Sequence, residues 1–256
     1  MTRIRFLGVA GYEIECPAGR ILMDPFLTGN PLAPCTFEEL EAPDLILVSH
    51  AAWDHMGDAA AIALRTGAPV VCGADVGAIL MDQGVPASQI RRTIWGVVVE
   101  VAGFQVRPIE CHHWSSGTFR DGTIVTGVPL AFLVETEPGV RIYHYGDTAI
   151  FDMSLIGELY QPTVGLIGCT VAGELIVDDG GAGRVISGEL TPSEAAKVVE
   201  MLNLNVAVAS HYLGINDEVE EFISLVSTKT TAIPLAPKVG ESFVTDGRRA
   251  DIEVPA

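Results

Sequence analysis

Seven consecutive residues, Ser49-His50-Ala51-Ala52-Trp53-Asp54-His55, put two imidazoles and a carboxylate directly after the apolar run Leu45-Ile46-Leu47-Val48. Imidazole nitrogen and carboxylate oxygen are the donors that a divalent cation such as zinc takes. The run reads as a buried strand, so the donors sit on the loop at its carboxyl end, with no room between them for a regular helix turn. A short His/Asp loop is also an ordinary solvated turn when it stands alone. The chain has six histidines in all, and the others fall at His112-His113, His144 and His211, with His113 and His211 again at the ends of apolar runs. Neighbours on an extended chain point to opposite sides, so at most one of His112 and His113 faces a given metal.

Positioning these residues is the work of alternating strands and helices. The first 24 residues read as three short strands, Arg3 to Leu7, Tyr12 to Cys16 and Ile21 to Met23, closed by Asp24-Pro25. Asp44 to Val48 is the strand before the donor loop, and the Ala-rich Met56 to Leu64 is a helix stopped by Gly67. A strand at Pro69 to Cys72, a helix from Asp75 to Gln83 and strands at Val97 to Val101 and Phe104 to Ile109 come next. Gly117 to Gly127 reads as a polar loop, Val128 to Glu135 and Arg141 to Tyr145 as strands, and Gly146-Asp147-Thr148 as the turn after them. A helix from Asp152 to Tyr160 and a strand from Val164 to Ile167 lead to the Gly-rich insertion at 171–190, read as a flexible tether, with a substrate lid or dimer contact carrying Arg184 as the alternative. Thr191-Pro192-Ser193-Glu194 starts a helix through a capping box and reaches about Leu202. Val206 to Ala209 is a buried strand before Ser210-His211-Tyr212, followed by a helix from Asp217 to Val226, two short strands and an exposed tail.

A chain of 256 residues with 48% hydrophobic content suits one large α/β domain. Its formal charge of −18 disfavours nucleic acid and anionic membrane surfaces and leaves a small molecule as the expected partner; homo-oligomers are compatible with it. Five scattered cysteines without C-x-x-C spacing fit reduced thiols, and with no signal peptide or apolar span the expected compartment is the cytoplasm.

The donor loop resembles the signature H-x-H-x-D-H of the metallo-β-lactamase fold hydrolases, with Ala52 at the second histidine. The opening Ile4-Arg5-Phe6-Leu7-Gly8 and the stretch from Arg20 to Ala33 look like the branch of metal-dependent hydrolases related to the ascorbate-6-phosphate lactonases, with Val9 where that branch carries a histidine. His113-Trp114-Ser115 is similar to the H-W-S of the related phospholipase D branch, and Gly146-Asp147-Thr148 to the family's G-D-T motif. The resemblance implies a four-layer αββα sandwich and a metal ligand set of His50, Asp54, His55, His113, Asp147 and His211. Asp147 would bridge two metals. One site would keep only His50, His113 and Asp147, and the other would hold Asp54, His55, Asp147 and His211. One or two divalent ions per chain are expected, zinc first, with manganese or iron as alternatives.

The chemistry this implies is hydrolysis of a small lactone, cyclic amide or ester by water activated on the metal. Asp147 would orient the nucleophile, Tyr212 or an Asp54 not engaged as a ligand would give the leaving group its proton, and Trp53, Trp114 and Phe26 would wall the substrate pocket. Two other readings of the same residues stay open. Two histidines and a carboxylate also suit an iron or manganese redox enzyme, and the histidine missing at Ala52 suits a degenerate, metal-free binding protein.

Overall fold

The computed structural model describes residues 1–171 and 188–253. In chain order, β1 (Thr2–Gly8), β2 (Gly11–Cys16), β3 (Gly19–Met23) and β4 (Leu45–Val48) precede helices α1 (Trp53–Met56) and α2 (Ala59–Thr66). Then come β5 (Val70–Cys72), α3 (Ala74–Asp82), β6 (Ile90–Arg92), β7 (Val99–Val101), β8 (Phe104–Ile109), β9 (Ser115–Thr118) and β10 (Ile124–Gly127). The second half holds β11 (Ala131–Glu137), β12 (Val140–His144), α4 (Ser154–Tyr160), β13 (Val164–Gly168), α5 (Pro192–Leu202) and β14 (Val206–Ser210). It ends with α6 (Asp217–Lys229), β15 (Ile233–Leu235), β16 (Ser242–Thr245) and β17 (Ala250–Ile252).

Two mixed sheets form, in the orders β17-β16-β1-β2-β3-β4-β5-β6 and β15-β14-β13-β12-β11-β8-β7. Each has an antiparallel part and a parallel part, the latter running from β3 to β6 and from β12 to β15. Alternation along β4 shows how the layers stack. Leu45 and Leu47 join Ile4, Tyr12, Phe132 and Ile142 between the sheets, while Ile46 and Val48 meet Ile62, Val76 and Leu80 of α2 and α3 on the other face. α5 and α6 cover the second sheet with Val198, Leu202, Val219 and Phe222. Helix, sheet, sheet and helix follow one another across the molecule, an α/β fold arranged as the expected sandwich.

The expected strands and helices are found, with shifts of one to three residues at most ends; β6 was not anticipated, and three larger corrections follow. The segment 117–127 is not a plain polar loop. Ser115–Thr118 and Ile124–Gly127 pair as a hairpin, which packs on α3. The expected helix from Met56 breaks at Gly57, whose φ of 37° ends the single turn α1 before α2 starts. Asp54 and His55 therefore lie on a helical turn, where sequence spacing had left no room for one. The tail also contributes a strand, since β17 pairs with β16. The α5 start is as read: Thr191 and Glu194 form the reciprocal capping box. Of the 171–190 insertion, residues 172–187 lie outside the described residues.

Candidate metal centre

β4 ends at Val48, and Ser49 and His50 follow at the edge where β12 and β14 also end. The α1 turn brings Asp54 and His55 back toward His50, because the Met56 amide donates to the Ala52 carbonyl and the Gly57 amide to that of Trp53. Asp147 and His211 come from the chain just after β12 and β14. Both have left-handed backbone, with φ of 57° and 64°, as does Asp24 at 41°. Such conformations are uncommon for side chains other than glycine, and they persist where the surroundings over-determine them. The His211 amide donates to the Val9 carbonyl at 2.7 Å, and the Val9 amide to the Tyr212 carbonyl at 3.1 Å. The two sheets are thereby pinned at the site, and Val9 supplies backbone where a histidine side chain had been the branch expectation.

Six predicted donors converge. Asp54, His55, Asp147 and His211 each offer a ligand atom within 4.8 Å of the others, and so do His50, His113 and Asp147 as a second group sharing Asp147. The Nε2 atoms of His55, His211 and His50 lie 2.8, 3.3 and 3.8 Å from Asp147 Oδ2. All three nitrogens are buried, and none makes a hydrogen bond among the described residues. Buried polar atoms almost always have a partner, so three bare imidazole nitrogens around one carboxylate oxygen fit a cation held between them. Ala52 adds no donor, leaving the group around His50 with three.

A further ring of contacts fixes the ligand orientations. Asp24 Oδ2 lies 2.8 Å from His55 Nδ1 and accepts from the Ser49 hydroxyl at 2.7 Å, while the Ser49 amide donates to Oδ1 at 2.8 Å. The Tyr145 hydroxyl donates to Asp147 Oδ1. Glu189 Oε2 is 3.0 Å from His211 Nδ1, and the neighbouring Gly188 carbonyl is 3.0 Å from His113 Nδ1. Metal-ligating histidines are oriented by such carboxylates and carbonyls on their other ring nitrogen. A second support ties the loops together: Ser115 accepts from the Ala51 amide at 3.0 Å and donates to the buried Asp75 carboxylate at the start of α3.

Electrostatics follow from this crowding. Burial, and then the neighbouring His55, push His50 down to about 3. Burial would also depress His55 and His211, but the carboxylates outweigh it and both lie well above the ordinary histidine value; Asp147 acts with Asp24 on the first and with Glu189 on the second. Asp147 is buried, yet His211 and His55 hold it well below the usual carboxylate range.

The other predicted residues divide. Trp53 and Trp114 line a cleft of about 420 Å³ above the donors, and Phe26 is buried behind Trp53 with ring centroids 5.0 Å apart. Tyr212 is a correction. Its hydroxyl donates to the Pro237 carbonyl, its ring packs on Phe6, and burial raises its pKa, so it is not placed to release a proton at the site. The phenol against the donors is Tyr145, which the sequence reading placed only as the last residue of a strand. His112 sits at the surface against Glu110 and Phe151, and His144 is buried with Nε2 3.0 Å from the Ala10 carbonyl. Asp75 and Glu189 were missed as well. Nothing local marks them; each meets the site only through tertiary packing.

Comparison with known proteins gives the family. Residues 19–212 match the model of the beta-lactamase superfamily domain. A UPF0173 metal-dependent hydrolase of Thermococcus onnurineus is 40% identical over 241 residues, 93% of this chain and 97% of the relative. Another, from Methanopyrus kandleri, is 39% identical over 82% of this chain and 84% of its own. Among solved structures, the metallo hydrolase Igni18 from Ignicoccus hospitalis superimposes with a TM-score of 0.74 at 26% identity, over 94% of this chain and 97% of that one. The chain belongs to the beta-lactamase superfamily and is a metal-dependent hydrolase of the metallo-β-lactamase fold.

Proposed function

We propose that the site hydrolyses a small lactone, cyclic amide or ester, with Asp54, His55, Asp147 and His211 as the principal metal ligands and His50, His113 and Asp147 as a poorer second set. The observation that carries this reading is the convergence of three unbonded, buried Nε2 atoms on Asp147 Oδ2. A divalent cation held there supplies Lewis acidity, which acidifies water and polarises a carbonyl. The chain's own residues do the rest. Asp147, locked through Oδ1 by Tyr145, keeps Oδ2 turned to the reaction centre. Asp54 lies on the cleft wall with Oδ2 toward His55 and His211, so its other oxygen, Oδ1, is the one that can take a proton from water and pass it to the leaving oxygen or nitrogen. The acyl bond to the leaving atom breaks, the bond from water oxygen to acyl carbon forms, and the proton ends on the leaving atom. Trp53 and Trp114 shield one approach to the cleft from solvent.

Zinc is the proposed metal, because nitrogen donors and carboxylates in a compact buried cage suit it. The acidic chain and its five free cysteines support a small-molecule substrate and a reducing, cytoplasmic setting. No helix among the described residues is long and apolar enough to cross a membrane. The test is kcat/KM on a panel of uncharged lactones and esters for wild type, Asp54→Asn and Asp147→Asn. The expected result is turnover by wild type, with losses of roughly 100-fold or more in both variants. Turnover that is absent in the metal-loaded wild type, or unchanged in Asp147→Asn, would sink the proposal.

A further inference from the structure

The chain has three tryptophans, and all of them stand outside its core. Trp53 is 58% exposed, Trp114 56% and Trp95 37%, although large aromatic rings dominate the energetics of cores when they are buried. They are not scattered. Trp53 and Trp114 line the cleft over the metal centre, and a second cleft of about 530 Å³, bounded by Trp95, Val128 and Pro129, shares His113 and Trp114 with it as a common wall. Volumes of this size suit small organic molecules.

Each indole is held in place. The Trp95 ring nitrogen donates to the Pro129 carbonyl at 2.7 Å, Trp114 stacks on His113 at 4.3 Å, and Trp53 meets Phe26 edge-on. Rigid, half-exposed rings of this kind present flat apolar area at little entropic cost.

Charge narrows the class further. Among the described residues, neither cleft is lined by lysine or arginine, and the ionisable groups present are histidines, the Cys111 thiol and the carboxylates Asp54, Asp147 and Glu189. A bound divalent ion would offset Asp54 and Asp147, so discrimination falls on the distal walls. Phosphate and carboxylate groups are held by guanidinium, ammonium or helix-terminal amides. Among the described residues, the distal walls around Trp95 carry none of these side chains.

We infer that the substrate class of this site is an uncharged, aromatic-ring lactone, amide or ester, whose carbonyl meets the metal centre and whose ring system extends past Trp114 toward Trp95. Phosphorylated relatives are excluded, in contrast to the substrates of the lactonase branch that the opening residues resemble. The carbonyl part rests on the hydrolytic reading above; the ring and charge preferences rest on the tryptophans and the walls.

The experiment is a fluorescence titration of the full-length, metal-loaded protein with 3,4-dihydroquinolin-2-one, with its 6-phenyl derivative and with the same bicycle carrying a phosphate. Saturable quenching of indole emission by both uncharged compounds is expected, and binding of the phosphate compound roughly tenfold weaker or worse. Trp95→Ala should weaken the 6-phenyl compound by about fivefold and leave the parent bicycle unchanged, while Trp95→Phe should restore most of the loss. Equal or tighter binding of the phosphate compound, no quenching by the uncharged ones, or indifference of the 6-phenyl compound to Trp95→Ala would each overturn the inference. A parallel assay with dihydrocoumarin separates the two readings. Quenching without turnover would refute hydrolysis and leave the ring preference standing. Turnover of a phosphorylated dihydrocoumarin as fast as the parent would do the reverse.

Discussion

His55 shows how much of the site is decided at single residues. One ring nitrogen is held by Asp24 and the other faces Asp147 without a hydrogen bond, so the imidazole is aimed at the site from its outer side. The glycine before Asp147 is equally constrained. Gly146 has φ of 63°, and a Cβ there would collide with the Leu130 carbonyl oxygen. Gly146→Ala is therefore expected to cost about 1–3 kcal/mol in denaturant unfolding, and to lower metal content because Asp147 shifts with it. Cysteines give a second check. Cys72, Cys111 and Cys169 are buried and Cys16 and Cys35 only partly so, so iodoacetamide at neutral pH should label the latter two and spare the former three. Burial raises Cys72 and Cys169 to about 12 from an ordinary value of 9.0. Their contribution to stability is full below that ordinary value and is lost as pH rises toward about 12, so an alkaline melting series should show stability falling over that interval. At this scale the sequence was most readable where donors follow strands, as His50, Asp147 and His211 do. It was least readable at Tyr145 and Tyr212, two phenols with similar apolar neighbours whose hydroxyl directions only packing decides.

Elements explain why the donors meet. The strands that deliver His50, Asp147 and His211 were legible because β4, β12 and β14 are short apolar runs, and the α5 start because Thr191 and Glu194 carry an explicit cap. The β9–β10 hairpin was not, since the residues it turns toward α3 include Ser115 and Gly117 while Ile124 is exposed, so no apolar alternation marks it. That hairpin nonetheless bears on the site. It starts at Ser115, which joins the Ala51 amide to Asp75 of α3, and Gly127 is a glycine because a Cβ would overlap the Asp75 carboxylate. Asp75→Asn and Ser115→Ala should each lower metal affinity by about tenfold, as loss of outer support around a metal typically does, with little change in far-UV circular dichroism. Unchanged affinity in both variants would show that the loop holds its shape without them.

For the whole molecule, the candidate metal centre lies where the two sheets meet, and its proposed ligands come from both. His50 follows a strand of the first sheet, Asp147 and His211 follow strands of the second, and the Val9–His211 backbone contact joins the two. A cation bound there should therefore stabilise the native state as a whole. At a free concentration 100 times its dissociation constant it contributes about 2.7 kcal/mol, which for a domain of this size is roughly 5–10 °C in the melting midpoint. Chelation should remove that increment, as followed by scanning calorimetry. The sandwich itself was legible from the order of strands and helices together with the motif resemblance. The pairing of β17 with β16 was not, because a three-residue strand is too short to carry a period. The central claim is that the Asp54, His55, Asp147 and His211 group holds the resident metal, and the most direct measurement is elemental analysis of purified wild type, His211→Ala and His50→Ala. About one divalent ion per chain is expected in wild type, lost in His211→Ala and retained in His50→Ala, in keeping with ligand loss being most costly at the more complete site. No metal in wild type grown in metal-rich medium, or full retention in His211→Ala, would contradict it.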